Sequence, residues 1–207
     1  MSEIFAIPGE IMFDAPDGVL PQPETVNYYK LAKERILFYG YDVDETLIEM
    51  QKQILCWNIE DKGKPVEERK PIWLYFISHG GDMDFMWSFV DFIAASDTPI
   101  YTVNLGFCDS AAGLIFMSGH KRFMLKSSRL IIHEGSAEVG GDAQKVLDAM
   151  ERYEKDLKRM KAYILSKTNI PKATLNKKRS NDWTLDAKYC LENGVCDVVI
   201  EHLSEVI

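Results

Sequence analysis

A chain of 207 residues, 46% hydrophobic and 27% charged, is long enough for one well-packed domain and too apolar for wholesale disorder. Thirty-two acidic against 24 basic side chains give a net charge of −8, the wrong sign for a non-specific binder of phosphate backbones. Lys177-Lys178-Arg179 is the one compact basic run. No window approaches the ~20 apolar residues of a membrane span, and MSEIFAIPGE lacks the basic and apolar regions of a secretory leader. Cys56, Cys108, Cys190 and Cys196 form no CxxC pair and match no zinc spacing. The expectation is a cytoplasmic protein of a reducing compartment, with no membrane or nucleic-acid partner, whose cysteines are small core residues.

Residues 1–30 hold Pro8, Pro16, Pro21, Pro23, Gly9 and Gly18 without a sustained period, and read as an N-terminal arm or loop-rich extension ahead of a domain over 31–207. Arg35–Tyr39 is a short apolar strand closed by Gly40. Asp44 is placed to cap the next helix, with Leu47, Ile48, Gln51, Ile54 and Leu55 on one face. Residues 60–71 form a charged surface loop. Ile72–Ile77 is an apolar run long enough for a strand buried on both faces. A helix with Phe85, Phe89, Phe92 and Ile93 inside follows, then a strand over Pro99–Leu105 ending at Gly106. Residues 110–118 are apolar nearly all round and predict a buried helix.

Arg122–Leu125 and Arg129–Ile132 predict two short strands. From about 142 to 167 runs a long helix whose Val146, Met150, Tyr153, Leu157, Met160 and Ile164 recur in steps of four and three. That narrow seam predicts contact with another helix, in this chain or in another subunit. Pro171 starts a short helix, Leu185–Asn193 is a last helix stopped by Gly194, and Val195–Ile200 is a final strand. Strands alternating with helices predict an α/β fold with a largely parallel sheet.

Three segments have the residue types that chemistry needs. In Ser78-His79-Gly80-Gly81-Asp82, paired glycines after a buried strand let backbone N–H groups face a developing negative oxygen, or simply make a strand-to-helix turn. In Gly106-Phe107-Cys108-Asp109-Ser110-Ala111-Ala112-Gly113, Ser110 is either an N-cap or a nucleophile at a helix N-terminus among small residues. In Ile131-Ile132-His133-Glu134-Gly135, His133 is a satisfied core imidazole or a base, with His79 as its competitor. Acyl transfer needs a serine, a base within reach, an orienting carboxylate and two N–H donors. The first two and the donors have candidates here, while spacing alone leaves the carboxylate open among many.

The ordered set is more specific than its parts. It runs S-x-G-G, G-x-x-x-S-x-x-G, R-x-x-I-H, the long amphipathic helix, then Asp182-Trp-Thr-Leu-Asp-Ala and Glu192-Asn-Gly-Val-Cys-Asp, with Leu31-Ala-Lys-Glu-Arg-Ile-Leu-Phe leading into the first strand. This resembles the ClpP family, the proteolytic subunits of Clp proteases and their phage-encoded relatives, from about Lys33 to Ile200. The resemblance implies a ClpP/crotonase-like α/β fold of stacked β-α units with a protruding handle helix at about 142–167. It implies a serine endopeptidase with Ser110 as nucleophile, His133 as general base and Asp182 as orienting acid. Gly81 and Ala111 would supply the oxyanion N–H groups, Gly80 would shape the turn, and Gly80, Glu134 and Gly135 would line the substrate groove.

By the same resemblance the substrate is a peptide or unfolded protein. The assembly is a homo-oligomer, a heptameric ring or a double-ring tetradecamer, and an ATP-dependent unfoldase is a conceivable partner. Hydrolysis of this kind needs no cofactor and no metal, and no GxxxxGK[ST] loop is present. Three departures from the family pattern stand out: His79 replaces a usual proline, Asp109 a usual small residue, and His133-Glu134-Gly135 the usual H-Q-P. A carboxylate beside the nucleophile disfavours an oxyanion unless it points away or meets a cation. The competing readings are therefore an inactive ring or scaffold subunit, a phage head-maturation protease, and a different acyl chemistry on the same fold.

Overall fold

Five apolar strands stacked in parallel form the backbone of the molecule, seen in a computed structural model that describes residues 3–7, 11–15, 23–135, 140–178 and 182–206. Pro8, Gly9, Pro16, Gly18, Pro21 and Arg179 lie outside the described residues. The strands are β3 (Ile36–Tyr39), β4 (Ile72–Ser78), β5 (Ile100–Asp109), β6 (Lys121–Leu125) and β9 (Val198–Ile200), adjacent in that order and all parallel. β7 (Arg129–Ile132) runs parallel to the far half of β5, and β8 (Trp183–Asp186) closes that edge antiparallel to β7. The predicted α/β class with a parallel-dominated sheet is what the chain adopts, and helices on the sheet's faces explain why β4 reads as an unbroken apolar run.

The arm segment contains more order than its prolines suggest. β1 (Glu3–Ile7) and β2 (Ile11–Ala15) pair antiparallel in a two-stranded sheet of their own. Helix α1 (Pro23–Lys33) then crosses the position where the sequence places the start of the domain.

Helix α2 (Leu47–Glu60) buries Leu47, Met50, Ile54 and Trp57. The predicted face is therefore rotated: Ile48 and Leu55 face outward, and Trp57 with Met50 fills the core instead. Asp44 caps a turn rather than the helix, its Oδ1 accepting from Thr46 N at 2.9 Å and Thr46 Oγ1 at 2.6 Å, while Thr46 holds the N-cap position. Helix α3 (Met83–Ala95) is capped by Asp82, which accepts from Asp84 N and Phe85 N. It buries Met86, Trp87, Phe89, Val90 and Ile93. Helix α4 (Ala111–Ser118) is buried at all eight residues.

β5 runs four residues past the predicted end at Leu105. After Asn104 it exchanges β6 for β7 as its neighbour, and the Asn104 side chain bridges the change: its Nδ2 donates to Arg129 O and its Oδ1 accepts from Gly106 N. The long helix is α5 (Ala143–Lys167), capped by Asp142. Only Met160 and Ile164 of its seam are buried; the C-terminal half packs on α4, with Tyr163 Oη donating to Leu114 O, while Leu147 (60% exposed) and Met150 (56%) stand clear.

Two expectations near the C-terminus are corrected. Leu185 belongs to β8, because residues 183–186 pair with β7, and the helix after it is the shorter α7 (Ala187–Glu192) capped by Asp186. Val195 and Cys196 are in the turn after Gly194, both donating to Cys190 O, so β9 starts only at Val198. α6 (Lys172–Lys178) follows Pro171 as its sequence predicts.

Candidate active site

Ser110, His133 and Asp182 arrive from three separate strand ends. Ser110 sits between β5 and α4 with φ 56° and ψ −125°, a conformation that an L side chain rarely adopts. The sharp reversal lifts the serine out of line with both elements. Its N–H donates to Ile131 O at 2.8 Å, so the elbow is tied to the strand that carries His133.

His133 lies just beyond β7, and Asp182 lies just ahead of β8, the strand antiparallel to it. Their pairing brings the His133 Nδ1 to 3.1 Å from Asp182 Oδ1, although they are far apart in sequence. With Nδ1 held there, Nε2 is the nitrogen left for other work. Asp182 is 74% exposed in the isolated chain.

The glycine turn meets the serine elbow directly. Gly80 and Gly81 have φ of +100° and +150°. A Cβ on Gly80 would fall 2.7 Å from Asp109 O and 2.8 Å from Ser110 Cβ, so only glycine allows this approach. The turn is pinned from the other side by Val43, whose N–H donates to Gly80 O and whose carbonyl accepts from Asp82 N. Neither Gly81 N nor Ala111 N has an acceptor among the described residues. Ala111 N is moreover the first amide of α4, where the helix dipole favours negative charge.

Ser110, Ala111, Gly81 and His133 line one cavity of about 270 Å³ together with Glu134 and Gly135. The structure thus gathers seven of the eight sequence-predicted residues: six along the cavity, and Asp182 through His133. Gly80 stands behind the elbow rather than along the groove. The remaining walls come from His79, read in sequence as a competing base, and from Met83, Tyr153, Asp156, Leu157 and Met160, which sequence reasoning assigns to helix packing or leaves aside. The four α5 residues have i, i+3, i+4, i+7 spacing, which is the signal that one helix face borders something. Tyr153 Oη also donates to Glu134 O at 2.9 Å, fixing the segment after His133 against α5.

The two departures at 79 and 109 form one cluster beside the elbow, with His79 also bordering the cavity. Asp109 is 5% exposed, and its Oδ2 accepts from Arg129 Nη2 at 3.0 Å and lies 3.1 Å from His79 Nδ1. Phe107, two residues back on β5, is stacked by the His79 ring at 4.3 Å, with the Arg129 guanidinium 5.2 Å from its centre. The carboxylate beside Ser110 therefore meets a cation. Arg129, read in sequence as the start of a strand and as the arginine of R-x-x-I-H, supplies it. Asp109 Oδ1 is buried without a hydrogen-bond partner.

The sheet, the serine elbow and the paired amides define an α/β protein of the Clp-type peptidase class. The Clp protease family model matches residues 22–203, and the chain belongs to that family. It is 32% identical over 186 residues to ATP-dependent Clp protease proteolytic subunit 2 of Treponema pallidum, across 88% of this chain and 90% of that one. It is 29% identical over 177 residues to the subunit 2 of Corynebacterium diphtheriae, across 84% and 86%. Subunit 1 of Corynebacterium jeikeium is 28% identical over 181 residues, across 86% and 93%.

Proposed function

We propose that the protein is a serine endopeptidase that hydrolyses peptide bonds without ATP, through a Ser110–His133–Asp182 triad. The observation that carries the reading is the convergence of an elbow serine, a histidine held at Nδ1 by a carboxylate, and two acceptor-free amides around one cavity. Ser110 Oγ attacks the substrate carbonyl as His133 takes its proton. The imidazolium so formed is stabilised by Asp182. Gly81 N–H and Ala111 N–H donate to the oxyanion, and His133 returns the proton to the leaving amine. Water then repeats the sequence on the acyl-enzyme.

The relatives are named as proteolytic subunits of ATP-dependent Clp proteases, and for the present chain we extend this to an ATP-dependent unfoldase as partner and to a homo-oligomer, a heptameric ring or double ring. Support comes from the outward apolar residues Ile48, Leu55 and Ile59 on α2, and from the clear half of α5. In this reading residues 1–30 are an arm ahead of the catalytic domain. The substrate is a peptide or unfolded polypeptide. A cytoplasmic setting suits the free cysteines, of which Cys108, Cys190 and Cys196 are buried. Among the described residues, no helix is long and apolar enough to cross a membrane.

The test is fluorophosphonate labelling with mass mapping, beside peptide cleavage by parent and Ser110→Ala. Label on Ser110 and a loss of at least about 10³-fold in kcat/KM in the variant are expected. Equal cleavage by both proteins would overturn the assignment.

A further inference from the structure

One wall of the cavity beside Ser110 carries chemistry that hydrolysis itself does not use. Tyr153, Asp156, Leu157 and Met160 share the α5 face that borders the cavity, and Met83 adds an apolar surface from α3. Glu134 lines the same space, and the basic side chains of the lining are the imidazoles of His79 and His133, with no lysine or arginine.

Asp156 is half-buried and forms no ion pair or hydrogen bond with any described residue. Its helix neighbours do: Lys155 pairs with Glu151 at 2.7 Å, Lys158 with Glu154 at 3.7 Å, and Arg159 with Asp91 at 3.0 Å. Lys155, Lys158 and Arg159 thus serve other carboxylates, and Arg152, one turn before Asp156, makes no ion pair with it among the described residues. What remains is an unmatched negative charge among methyl and thioether groups, at the mouth of a cavity that reaches the serine.

We propose that this cavity selects a lysine or arginine side chain on the residue immediately before the cleaved bond. This rests on the peptidase reading of Ser110. The alkyl stem lies along Met83, Leu157 and Met160, and the cationic head meets Asp156. Long basic side chains are suited to such a site because their stems are apolar and their ends charged. An apolar side chain of equal length would dehydrate Asp156 without pairing it, which turns the same contact into a penalty. An acidic side chain would add repulsion from Asp156 and Glu134.

The experiment uses the assembled full-length protein and peptides that differ only in Lys, Arg, Leu or Glu before a fluorogenic amide. Lysine and arginine peptides are expected to exceed the leucine peptide by about tenfold in kcat/KM, a margin that shrinks with added salt because the pair is partly exposed. Asp156→Asn is expected to narrow the lysine-to-leucine ratio at least about fivefold, and Asp156→Lys to move the preference towards glutamate. The same ratio is read, without turnover, from the rates at which lysyl and leucyl peptidyl phosphonates label Ser110. A parent that favours leucine, or a ratio unmoved by Asp156→Asn, overturns the selectivity and leaves the hydrolysis standing. An unlabelled Ser110 with no peptide cleaved overturns both.

Discussion

A single methyl group at Gly80 would test whether the glycine turn and the serine elbow are one unit. In Gly80→Ala the new Cβ falls 2.7 Å from Asp109 O, 2.8 Å from Ser110 Cβ and 2.9 Å from Ala111 N. None of these atoms is the free end of a flexible side chain, so the strain can be relieved only by moving the elbow or the turn. The residue also sits at φ +100°, where alanine is strained whatever the space. Backbone strain of about 1–2 kcal/mol and overpacking of about 1–3 kcal/mol together give about 2–5 kcal/mol of destabilisation. Part of that relaxes by parting the Gly81 and Ala111 amides, and a misplacement of about 1 Å costs about 10²-fold in rate. The assay is a urea midpoint at fixed protein concentration, because an oligomer's apparent stability depends on it, together with peptide kcat/KM. Gly106→Ala is the control: no atom lies within 4 Å of its Cβ and its φ is not positive, so it should stay within about 0.5 kcal/mol of the parent. If Gly80→Ala matched the parent in both measurements while Gly106→Ala did too, the two segments would not be packed as one unit.

Three further outcomes follow from the same geometry. Ser110→Gly should be more stable than Ser110→Ala by about 1 kcal/mol in urea unfolding, since only glycine relieves the φ of 56° while both lose the hydroxyl; equal midpoints would mean that the elbow is unstrained. The Arg35 guanidinium holds the Asp61 carboxyl well below the usual carboxylate range, helped by Lys64 and Thr98, against burial, which acts the other way. A depressed folded-state pKa stabilises the protein fully above the unfolded value of about 3.9, and this contribution is lost as pH falls below about 4 towards the folded value. Asp61→Asn should flatten that acid limb and, by leaving a buried Arg35 with no anionic match at Asp61, cost about 3–5 kcal/mol at pH 7; a parallel pH profile would refute the pairing. Arg129→Met should lower peptide kcat/KM by about tenfold through the unneutralised Asp109 carboxylate, and adding Asp109→Asn should restore most of it; no recovery in the double variant would assign Arg129 a purely structural part.

Much of the fold is legible because its strands are apolar runs and its helices have caps. Ile72–Ile77, Arg129–Ile132 and the helix over 143–167 stand within a residue or so of where pattern places them. What pattern missed has a tertiary cause. Trp183–Asp186 becomes a strand because β7 offers it an edge, information absent from its own four residues. β5 continues past Gly106 because Asn104 carries the ladder from one neighbour to the next. On α2, Met50 and Trp57 win the core from Ile48 and Leu55, since several registers of an apolar-rich helix look alike in sequence. At the site, Ser110, His133 and the glycines are visible as residues at element boundaries, and Asp182 only through the family pattern. Arg129 and Asp156 are ordinary surface charges until the fold shows what each faces.

The charge next to Ser110 shows how such a departure becomes compatible with the site. Successive side chains of a strand alternate, so Phe107 and Asp109 share one face of β5 while Cys108 turns to the core on the other. Arg129 stands directly opposite Phe107 in the β5–β7 ladder, which carries its guanidinium across the ring to Asp109. His79, where a proline would offer no stacking ring with a hydrogen-bonding nitrogen, covers the same ring from the turn side. The positive φ at Ser110 then swings its side chain out of the strand's alternation, into the cavity that His79 also borders. Arg129 is tied by its main chain as well, since Asn104 Nδ2 donates to its carbonyl, so the cation does not depend on a loose surface rotamer alone. An acidic residue at 109 is therefore accommodated in company: with Arg129 in register, an aromatic at 107 to carry it, and the positive φ at 110 to turn the serine out of the strand's alternation. The substitutions at 79 and 109 are best understood as parts of one arrangement, which argues against the decayed-site reading that either would invite if met singly.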